Sequence, residues 1–315
     1  MRFILITLFA SFCYAENFYK LGIGSCVDYD YPIPAWDSLE QESLDSFFFL
    51  GDNIYGDVPS GKLDSVKISY KNMNERMPEW LQETEKLVIW DDHDYGLNDA
   101  GENYLYKAES QKIYNNAWKI NQNDPRRSRE GIYFSELKII NDKKVLFVGL
   151  DTRYFRSNLI KIGDTYKPQR NLNTTVLGPI QWDWLKKQVN TEHDILILAS
   201  SIQVLATDHR FEKWANFPHE RNSLLDLLYN LDSDILIISG DRHRAGFYKK
   251  DNIYEFTSSS LNKGIFPYYE TDNLLIGDTY TQNNYGIVEF HNDSLQLFIK
   301  DENMNVLESL EIPLK

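Results

Sequence analysis

The sequence has few cysteines and few basic residues for its length. Of its 315 residues only two are cysteines, and 47 aspartates and glutamates outnumber 33 lysines and arginines, which gives a formal charge of −14. Nucleic-acid backbones and anionic membranes attract clustered positive charge, so we expect no nucleic-acid scaffold as a partner. A phosphate-bearing ligand is compatible with this charge, because bound metals can reverse its sign inside a site.

Long apolar runs are missing after the N-terminus. Residues 1–15, MRFILITLFASFCYA, combine one arginine, an apolar run over residues 3–12 and a small residue at Ala15. This pattern predicts a secretory signal peptide, and the run is too short to span a bilayer. The alternative is a buried first strand. We expect a secreted or periplasmic protein, lumenal or extracellular in a eukaryote, with no stable membrane insertion after cleavage.

Cleavage after Ala15 would leave Cys26 as the single cysteine of the mature chain, since Cys13 leaves with the signal peptide. In an oxidising compartment Cys26 then has no intramolecular partner, which excludes structural disulfides. A lone thiol of this kind is either buried and inert or bound to a metal.

The sequence also lacks Gly-x-Ser-x-Gly and Cys-x-Pro-x-Arg blocks, which disfavours a Ser/His/Asp hydrolase and a sulfatase. It contains no repeat, low-complexity tract or Pro/Ser-rich linker, so we expect a single domain over residues 16–315. Aromatic residues make up 14% of the chain, which excludes a disordered protein.

Strand and helix patterns alternate along most of the chain. Apolar runs predict strands at Ser46–Leu50 and at residues 87–90, 145–150, 195–199 and 235–239. Helical spacing predicts helices at residues 66–85 (broken near Pro78), 108–121, 179–189 and 219–230. Residues 158–177 are predicted to be a long polar loop, and short strands follow Gly246. This order favours an α/β fold in which two mixed sheets pack together and are flanked by helices.

Chemically active side chains follow three of the predicted strands. The segments are FFFLGDNIYGD with Asp52, LVIWDDHDYGLND with Asp92 and His93, and ILIISGDRHRAGF with Asp241 and His243. Open α/β sheets bind ligands at the carboxyl ends of their strands. Three such ends therefore predict one metal centre.

The second segment offers four candidate groups, Asp91, Asp92, His93 and Asp94. Neighbours in an extended backbone point to opposite sides, so one of Asp92 and His93 could bind a metal while the other faces a substrate. The alternative is a helix N-terminus that is capped by acidic residues.

The other two segments carry metal-ligand spacing. Asp241 and His243 are two residues apart and would face the same way in extended backbone, with donors that metals accept. Tyr55 follows Asp52 by three residues, and a phenolate there favours a strongly acidic trivalent metal, because a phenol has a pKa of about 10. An Asp-Gly turn would also explain GDNIYGD.

A further segment, LDTRYFRS, supplies Arg153 and Arg156 after another strand. A guanidinium there could bind a phosphoryl oxygen. Pairing with the many acidic residues is an equal alternative.

Taken together, eight blocks resemble the PhoD-like phosphatase family in their order and spacing. They are GSC, GDNIYGD, WDDHDYGLNDAG, LDTRYFR, LGPIQWDWL, SSIQVLA, WANFPHER and SGDRHRAGF. The likeness runs from about Leu21 to the C-terminus. It implies a metallo-dependent phosphatase fold, an αββα sandwich, and a centre of one ferric iron and calcium akin to that of purple acid phosphatases.

The resemblance also implies a set of iron ligands, which are Cys26, Asp52, Tyr55 and His243. Calcium would be bound by Asp92 and Asp241 and by the bridging Asp52, with Asp91 as a less certain alternative to Asp92. Hard oxygen donors of this kind suit calcium on general grounds as well.

The remaining site residues are implied to act on the substrate. His93 would face the phosphoryl group and could protonate the leaving oxygen. Arg153 would bind the phosphoryl group and stabilise its charge in the transition state, and Asn98 is a candidate phosphate contact.

The expected activity is hydrolysis of a phosphate mono- or diester by a hydroxide that bridges the two cations. No serine or threonine nucleophile is needed, and Cys26 is not expected to attack. A phosphodiesterase or phospholipase-type preference is one alternative, and a non-catalytic secreted binding protein that retains the fold is another. We expect a phosphate ester as the substrate and a monomeric protein.

Overall fold

Strands that are buried on both faces form the centre of the molecule. The computed structural model describes residues 18–265, 268 and 270–315. The predicted signal peptide, residues 1–15 with Cys13, lies outside the described residues. Within them, every residue of the strands SFFFL and ILILAS is buried. Such continuous apolar strands are typical of sheets that are covered on both sides.

The strands, in chain order, are β1 (Tyr19–Gly24), β2 (Ser46–Leu50), β3 (Glu85–Ile89), β4 (Phe134–Ile140), β5 (Lys143–Gly149), β6 (Ile160–Ile162), β7 (Thr165–Lys167), β8 (Ile195–Ser200), β9 (Asp234–Ser239), β10 (Ala245–Lys250), β11 (Ile253–Ser258), β12 (Leu275–Tyr280), β13 (Asn284–Phe290), β14 (Ser294–Asp301) and β15 (Val306–Pro313). The helices are α1 (Ala35–Gln41), α2 (Asp64–Arg76), α3 (Glu79–Glu83), α4 (Asp92–Tyr95), α5 (Lys107–Ala117), α6 (Gly178–Val189) and α7 (Pro218–Tyr229).

Two mixed sheets carry most of these strands. The first has the order β15-β14-β13-β1-β2-β3, with β1, β2 and β3 parallel and β13 antiparallel to β1. The second has the order β12-β10-β11-β9-β8-β5-β4, with parallel pairs from β5 to β11 and antiparallel pairs outside them.

The two faces of β8 show how the layers pack. Ile195 and Ile197 belong to the core that the second sheet shares with the first. Leu196 and Leu198 belong to a second core with side chains of α6 and α7. The helices α1, α2 and α5 contribute Trp36, Tyr70 and Tyr114 to the shared core and form the fourth layer, against the outer face of the first sheet. The predicted αββα sandwich is confirmed.

Most of the predicted helices and strands are present, and the prediction of an unstructured loop at residues 158–177 is wrong. The segment at residues 66–85 splits at Pro78 into α2 and α3, as predicted, because proline cannot continue a helix interior. The predicted loop at residues 158–177 contains the antiparallel hairpin β6–β7. None of its strand residues is buried, so no apolar periodicity signals it. None of the helices in the described ranges has the length and apolar character needed to cross a membrane.

Candidate metal centre

The carboxyl ends of β1, β2 and β3 meet the end of β9 from the facing sheet. Two glycines allow this approach. A Cβ atom on Gly240 would lie 2.7 Å from the carbonyl oxygen of Leu50 and 2.7 Å from Ser25 Oγ. Gly51 has a φ of 98°, and a Cβ atom there would lie 2.6 Å from Asp91 Cβ. Side chains at these two positions would push the strand ends apart.

The backbone turns sharply at four predicted metal ligands. Cys26, Asp52, Asp241 and His243 have φ values of 55°, 49°, 68° and 51°, in the left-handed region that non-glycine residues rarely adopt. The extended backbone that we predicted for Asp241 and His243 is therefore wrong. A two-residue spacing alone does not determine how a chain turns after a buried strand.

Four donor atoms lie close together on one side of the centre. Cys26 Sγ is 3.6 Å from Asp52 Oδ2, which is 3.5 Å from Tyr55 Oη, and that oxygen is 3.4 Å from His243 Nε2. Lys263 fixes the ring of His243, because its carbonyl oxygen accepts a hydrogen bond of 2.6 Å from Nδ1. With the proton on Nδ1, the Nε2 atom of a neutral ring is left as an acceptor or ligand.

Burial controls the protonation of the thiol and the phenol. It raises the pKa of Cys26 well above its ordinary value, and the nearby Asp52 carboxylate raises it further. Burial likewise raises the pKa of Tyr55 well above its ordinary value, with added contributions from Cys26 and Asp52. Without a cation both groups keep their protons at neutral pH.

Asp52 also belongs to a second group of donors. Ligand atoms of Asp52, Asp92 and His93 lie within 4.8 Å of one another, as do those of Asp52, Cys26 and His243. Asp241 lines the same cavity as Asp52 and Asp92. Burial raises the pKa of Asp52 and of Asp241 well above the ordinary value, and the charges of Asp91 and Asp92 raise both further.

The segment after β3 folds as a short helix. Asp91 is its N-cap residue, and the Asp94 carboxylate completes a capping box by accepting a hydrogen bond from the backbone N–H of Asp91 at 3.0 Å. Asp94 also accepts from the backbone N–H of Asn53 at 2.9 Å, which ties the helix to the segment after β2. The alternation that we predicted for Asp92 and His93 is therefore wrong, and the capped-helix alternative describes the backbone. Both side chains nevertheless line the cavity, since α4 begins at its edge.

Asp92 and Asp91 occupy different positions. Burial acts to raise the pKa of Asp92, but the charges of Arg153 and His93 outweigh it and lower the pKa. The backbone N–H of Asp99 also donates to Asp92 Oδ2 at 2.6 Å. Asp91 is fully buried behind the cavity. Of the two, Asp92 is the one placed to bind a cation.

His93 is held by a residue that the sequence did not single out. Its Nδ1 atom lies 2.5 Å from Oδ1 of Asp57, and its ring packs against Tyr55 with centroids 4.3 Å apart. Burial lowers the pKa of His93, but the carboxylates of Asp52, Asp92 and Asp57 outweigh it and raise the pKa to about 11. Asp57 ends the GDNIYGD segment, and its spacing from Tyr55 gives no sign of this role.

Arg153 lies beneath the centre and does not line the cavity. Its side chain is fully buried, with Nε 2.5 Å from Asp91 Oδ1 and Nη1 2.6 Å from Glu212 Oε2. Arg156 pairs with the same glutamate at 2.7 Å. The structure therefore favours the acid-pairing alternative over direct phosphoryl contact, because no part of Arg153 is exposed.

Glu212 is the second residue that sequence reasoning missed. Burial raises its pKa to about 7, although Arg153 and Arg156 act in the opposite direction. Glu212 lies two residues before the tryptophan that begins the WANFPHER block and belongs to no motif. The polar stretch around it carries no strand or helix signal.

The centre opens into a cavity of about 510 Å³. Asn98 lines it beside Asp92 and His93, as the phosphate-contact prediction requires. Lys161, Arg210 and Arg242 line the same cavity. The cavity therefore combines acidic donor groups with positively charged side chains.

The sequence profile of the PhoD-like phosphatases matches residues 21–306. The chain belongs to the PhoD-like phosphatase family. It is therefore a phosphoric ester hydrolase, and its substrate is a phosphate ester. No curated protein matches the sequence at a significant level.

Solved structures show the same fold. The structure of PhoD has a TM-score of 0.71 at 18% identity, over 93% of this chain and 72% of that chain. GAP50, the anchor in the inner membrane complex of Plasmodium, has a TM-score of 0.66 at 14% identity, over 95% of this chain and 89% of that chain. Purple acid phosphatase PPD1 from yellow lupin (Lupinus luteus) seeds has a TM-score of 0.64 at 11% identity, over 94% of this chain and 54% of that chain.

Membership of the PhoD-like phosphatases implies a metal cofactor, and the donor atoms fit one. Separations of 3.4–3.6 Å between neighbouring donors match the edges of a tetrahedron whose metal–ligand bonds are about 2.0–2.3 Å long. The crowded carboxylates of Asp52, Asp92 and Asp241 would also repel one another without a cation between them. Both features suit a centre with two cation positions.

Proposed function

We propose that this PhoD-like phosphatase binds ferric iron and calcium side by side and hydrolyses phosphate mono- or diesters between them. The observation that carries the proposal is that Asp52 belongs to both groups of donors. A carboxylate with two oxygens can serve two cations at once, whereas a single-metal site would leave the second group without a role.

The two groups differ in chemistry, which supports different occupants. The thiolate, phenolate, imidazole and carboxylate of Cys26, Tyr55, His243 and Asp52 would hold the iron. A trivalent ion compensates best for the deprotonation of a buried thiol and phenol, because both have raised pKa values. Asp92 and Asp241, with the second oxygen of Asp52, would hold calcium, which prefers oxygen ligands.

Bound cations would neutralise the phosphoryl oxygens and lower the pKa of a water that attacks phosphorus. The chain itself supplies the proton for the departing group. Because Asp57 engages Nδ1 of His93, Nε2 is left to point into the cavity and to donate to the leaving oxygen. The raised pKa of His93 keeps the ring protonated at neutral pH.

Asn98 and Arg153 have supporting roles in this proposal. The amide of Asn98 donates to a phosphoryl oxygen from the cavity wall. Arg153 is a positioning residue, because it binds Asp91 and Glu212 below the site and its Nη2 atom lies 3.9 Å from Asp92 Oδ1. Cys26 does not attack the substrate, since it is fully buried among the iron ligands.

A diester preference and a non-catalytic binding role are the other candidates. GAP50 shows that a protein with this fold is an anchor. Hydrolysis is favoured here because the chain belongs to a phosphatase family and because two groups of possible metal donors share Asp52. We further propose that the protein is a secreted or periplasmic monomer, and the N-terminal apolar run supports its secretion. We also propose a single domain over residues 16–315, which the core shared by both sheets supports.

Metal analysis together with two substrates tests the proposal. We expect purified protein to contain one iron and at least one calcium, with anomalous scattering from iron between Cys26 and His243, and to hydrolyse nitrophenyl phosphate or bis-nitrophenyl phosphate. Asp52→Asn and His243→Ala should lose both iron and turnover, whereas the exposed Asp37→Asn should keep both. Full activity of Asp52→Asn without iron would contradict the proposal.

A further inference from the structure

Part of the cavity lining has an uncommon composition for a chain of net negative charge. Lys161, Arg210, Phe211 and Arg242 form this part. Arg242 lies over the ring of Phe211 with its guanidinium carbon 4.4 Å from the ring centroid, and Arg210 lies at 5.0 Å from the same centroid. We call these four residues the cationic wall.

Hydrogen bonds join the two segments that form the cationic wall. The backbone N–H of Tyr166, in the hairpin that carries Lys161, donates to the carbonyl oxygen of Arg210 at 2.8 Å. Lys213 donates from Nζ to the carbonyl oxygens of His209 and Phe211, at 3.0 Å for Phe211. The backbone that presents these cations is therefore fixed from both sides.

Acidic residues do not cancel this charge. Glu270 accepts from Arg242 at 2.8 Å and from Arg244 at 2.9 Å, so one glutamate serves two arginines. Asp164 is exposed at the cavity edge, near Lys161. Glu212 is already committed to Arg153 and Arg156 below the site.

Three cationic side chains have unused hydrogen-bonding capacity. Arg242 has a side-chain exposure of 3%, and its Nε has no partner among the described residues. Lys161 and Arg210 are exposed at the cavity, where their charged groups lie over the rings of Tyr166 and Phe211. A buried guanidinium N–H without a partner costs free energy, unless a ligand accepts its hydrogen bond.

The neighbouring pKa values agree with a positive potential here. Burial and then the charge of Arg242 lower the pKa of Lys213 to about 8. Burial and then Arg242 also lower the pKa of His209, so its ring stays neutral beside the cationic wall.

We propose that the cationic wall is a second anion-binding subsite, so that the preferred substrates are phosphate esters whose leaving group carries another negative charge. This inference rests on the proposed function, because the scissile phosphate must lie at the donor groups for the leaving group to reach the cationic wall in the same cavity. The second anion can be a carboxylate or another phosphate, since guanidinium and ammonium groups bind both.

Binding of non-hydrolysable phosphonates to the metal-loaded protein tests the subsite. Phenylphosphonate offers one anion, 4-phosphonobenzoate adds a carboxylate, and 1,4-phenylenebisphosphonate adds a second phosphonate. Titration calorimetry should give 4-phosphonobenzoate a Kd roughly tenfold below that of phenylphosphonate, as one charge-assisted hydrogen bond provides. If the bisphosphonate binds more tightly than 4-phosphonobenzoate, the natural second anion is a phosphate. If it binds less tightly than 4-phosphonobenzoate, the natural second anion is a carboxylate.

Variants at exposed positions separate the subsite from general charge effects. Arg210→Gln and Lys161→Gln should each reduce the tenfold advantage to about threefold or less. Arg170→Gln removes a positive charge from the same exposed segment, outside the cavity lining, and should retain it. The advantage should also shrink at high salt, because exposed charges are screened.

An equal Kd for the one-anion and two-anion ligands in the unmodified protein would overturn the subsite. So would an advantage that survives unchanged in both Arg210→Gln and Lys161→Gln. Failure of the proposed function appears separately, as absence of turnover of both nitrophenyl phosphate and bis-nitrophenyl phosphate by the metal-loaded protein, because the binding comparison does not depend on turnover.

Discussion

The Nδ1 atom of His93 lies 2.5 Å from the Oδ1 atom of Asp57, which is 36 residues earlier in the chain. A carboxylate at this position fixes the ring orientation and favours its protonated form. The side chains are only 19% and 16% exposed, so water competes weakly for the contact. Under the proposed function, in which His93 gives a proton to the leaving group, Asp57 keeps that proton on the ring.

Replacing Asp57 by asparagine should slow hydrolysis without removing the metals. We expect kcat to fall roughly tenfold to a hundredfold for phenyl phosphate, whose leaving group needs a proton, and less for nitrophenyl phosphate. Loss of one carboxylate also lowers the pKa of His93, so the basic limb of the pH profile should move to lower pH. Steady-state kinetics from pH 5 to about 12 measure both effects, because the pKa of His93 in the unmodified protein is about 11. Equal losses for the two substrates, with an unmoved pH profile, would show that Asp57 acts only on structure.

The buried position of Arg153 predicts an effect on stability. Arg153→Ala would leave Asp91 buried without its cation and Glu212 with Arg156 alone, which should cost about 3–5 kcal/mol in the free energy of unfolding. Chemical denaturation of the metal-free protein measures this change. Arg170→Ala, an exposed arginine, serves as the control and should change stability by less than about 0.5 kcal/mol. A variant with normal stability but no activity would restore direct phosphoryl contact as the role of Arg153.

The sequence predicts the layers of this fold better than the turns between them. Continuous apolar runs such as Ser46–Leu50 mark buried strands, and the structure has this strand with the same bounds. The left-handed backbone at Asp241 and His243 leaves no such trace, since it depends on the close approach of Gly240 to β2. Residues that act through a neighbour, such as Asp57 and Glu212, are also invisible to spacing, because their partners come from distant segments.

Iron retention should depend on pH through Cys26 and Tyr55. Both pKa values are raised by burial, so both groups are protonated in the metal-free protein and must lose protons to bind iron. Affinity should therefore rise with pH and fall as acid returns the protons. Equilibrium dialysis against citrate between pH 5 and 8 measures iron occupancy. Tyr55→Phe should bind more weakly and show a slope shallower by about one proton, and an unchanged slope would remove Tyr55 from the ligand set.

Asp241→Asn should have opposite effects on the metal-free and metal-loaded protein. The pKa of Asp241 is raised well above its ordinary value by burial, so above that ordinary value its carboxylate lowers the stability of the metal-free fold. Asparagine removes this charge and tolerates a φ of 68°. We expect the Tm of metal-free protein to rise and the gain in Tm on adding calcium to shrink. Differential scanning fluorimetry with and without calcium measures this, and Asp37→Asn should change neither value.

The position of Asp52 in both donor groups has a consequence for metal supply. An ion on one side of this carboxylate changes the charge and orientation that the other side meets. By thermodynamic linkage, the effect of calcium on iron affinity must equal the effect of iron on calcium affinity. Under the proposed assignment the two metals load as an interdependent pair. Hydrolysis would then depend on the supply of both iron and calcium around the protein, and a shortage of either metal would stop it.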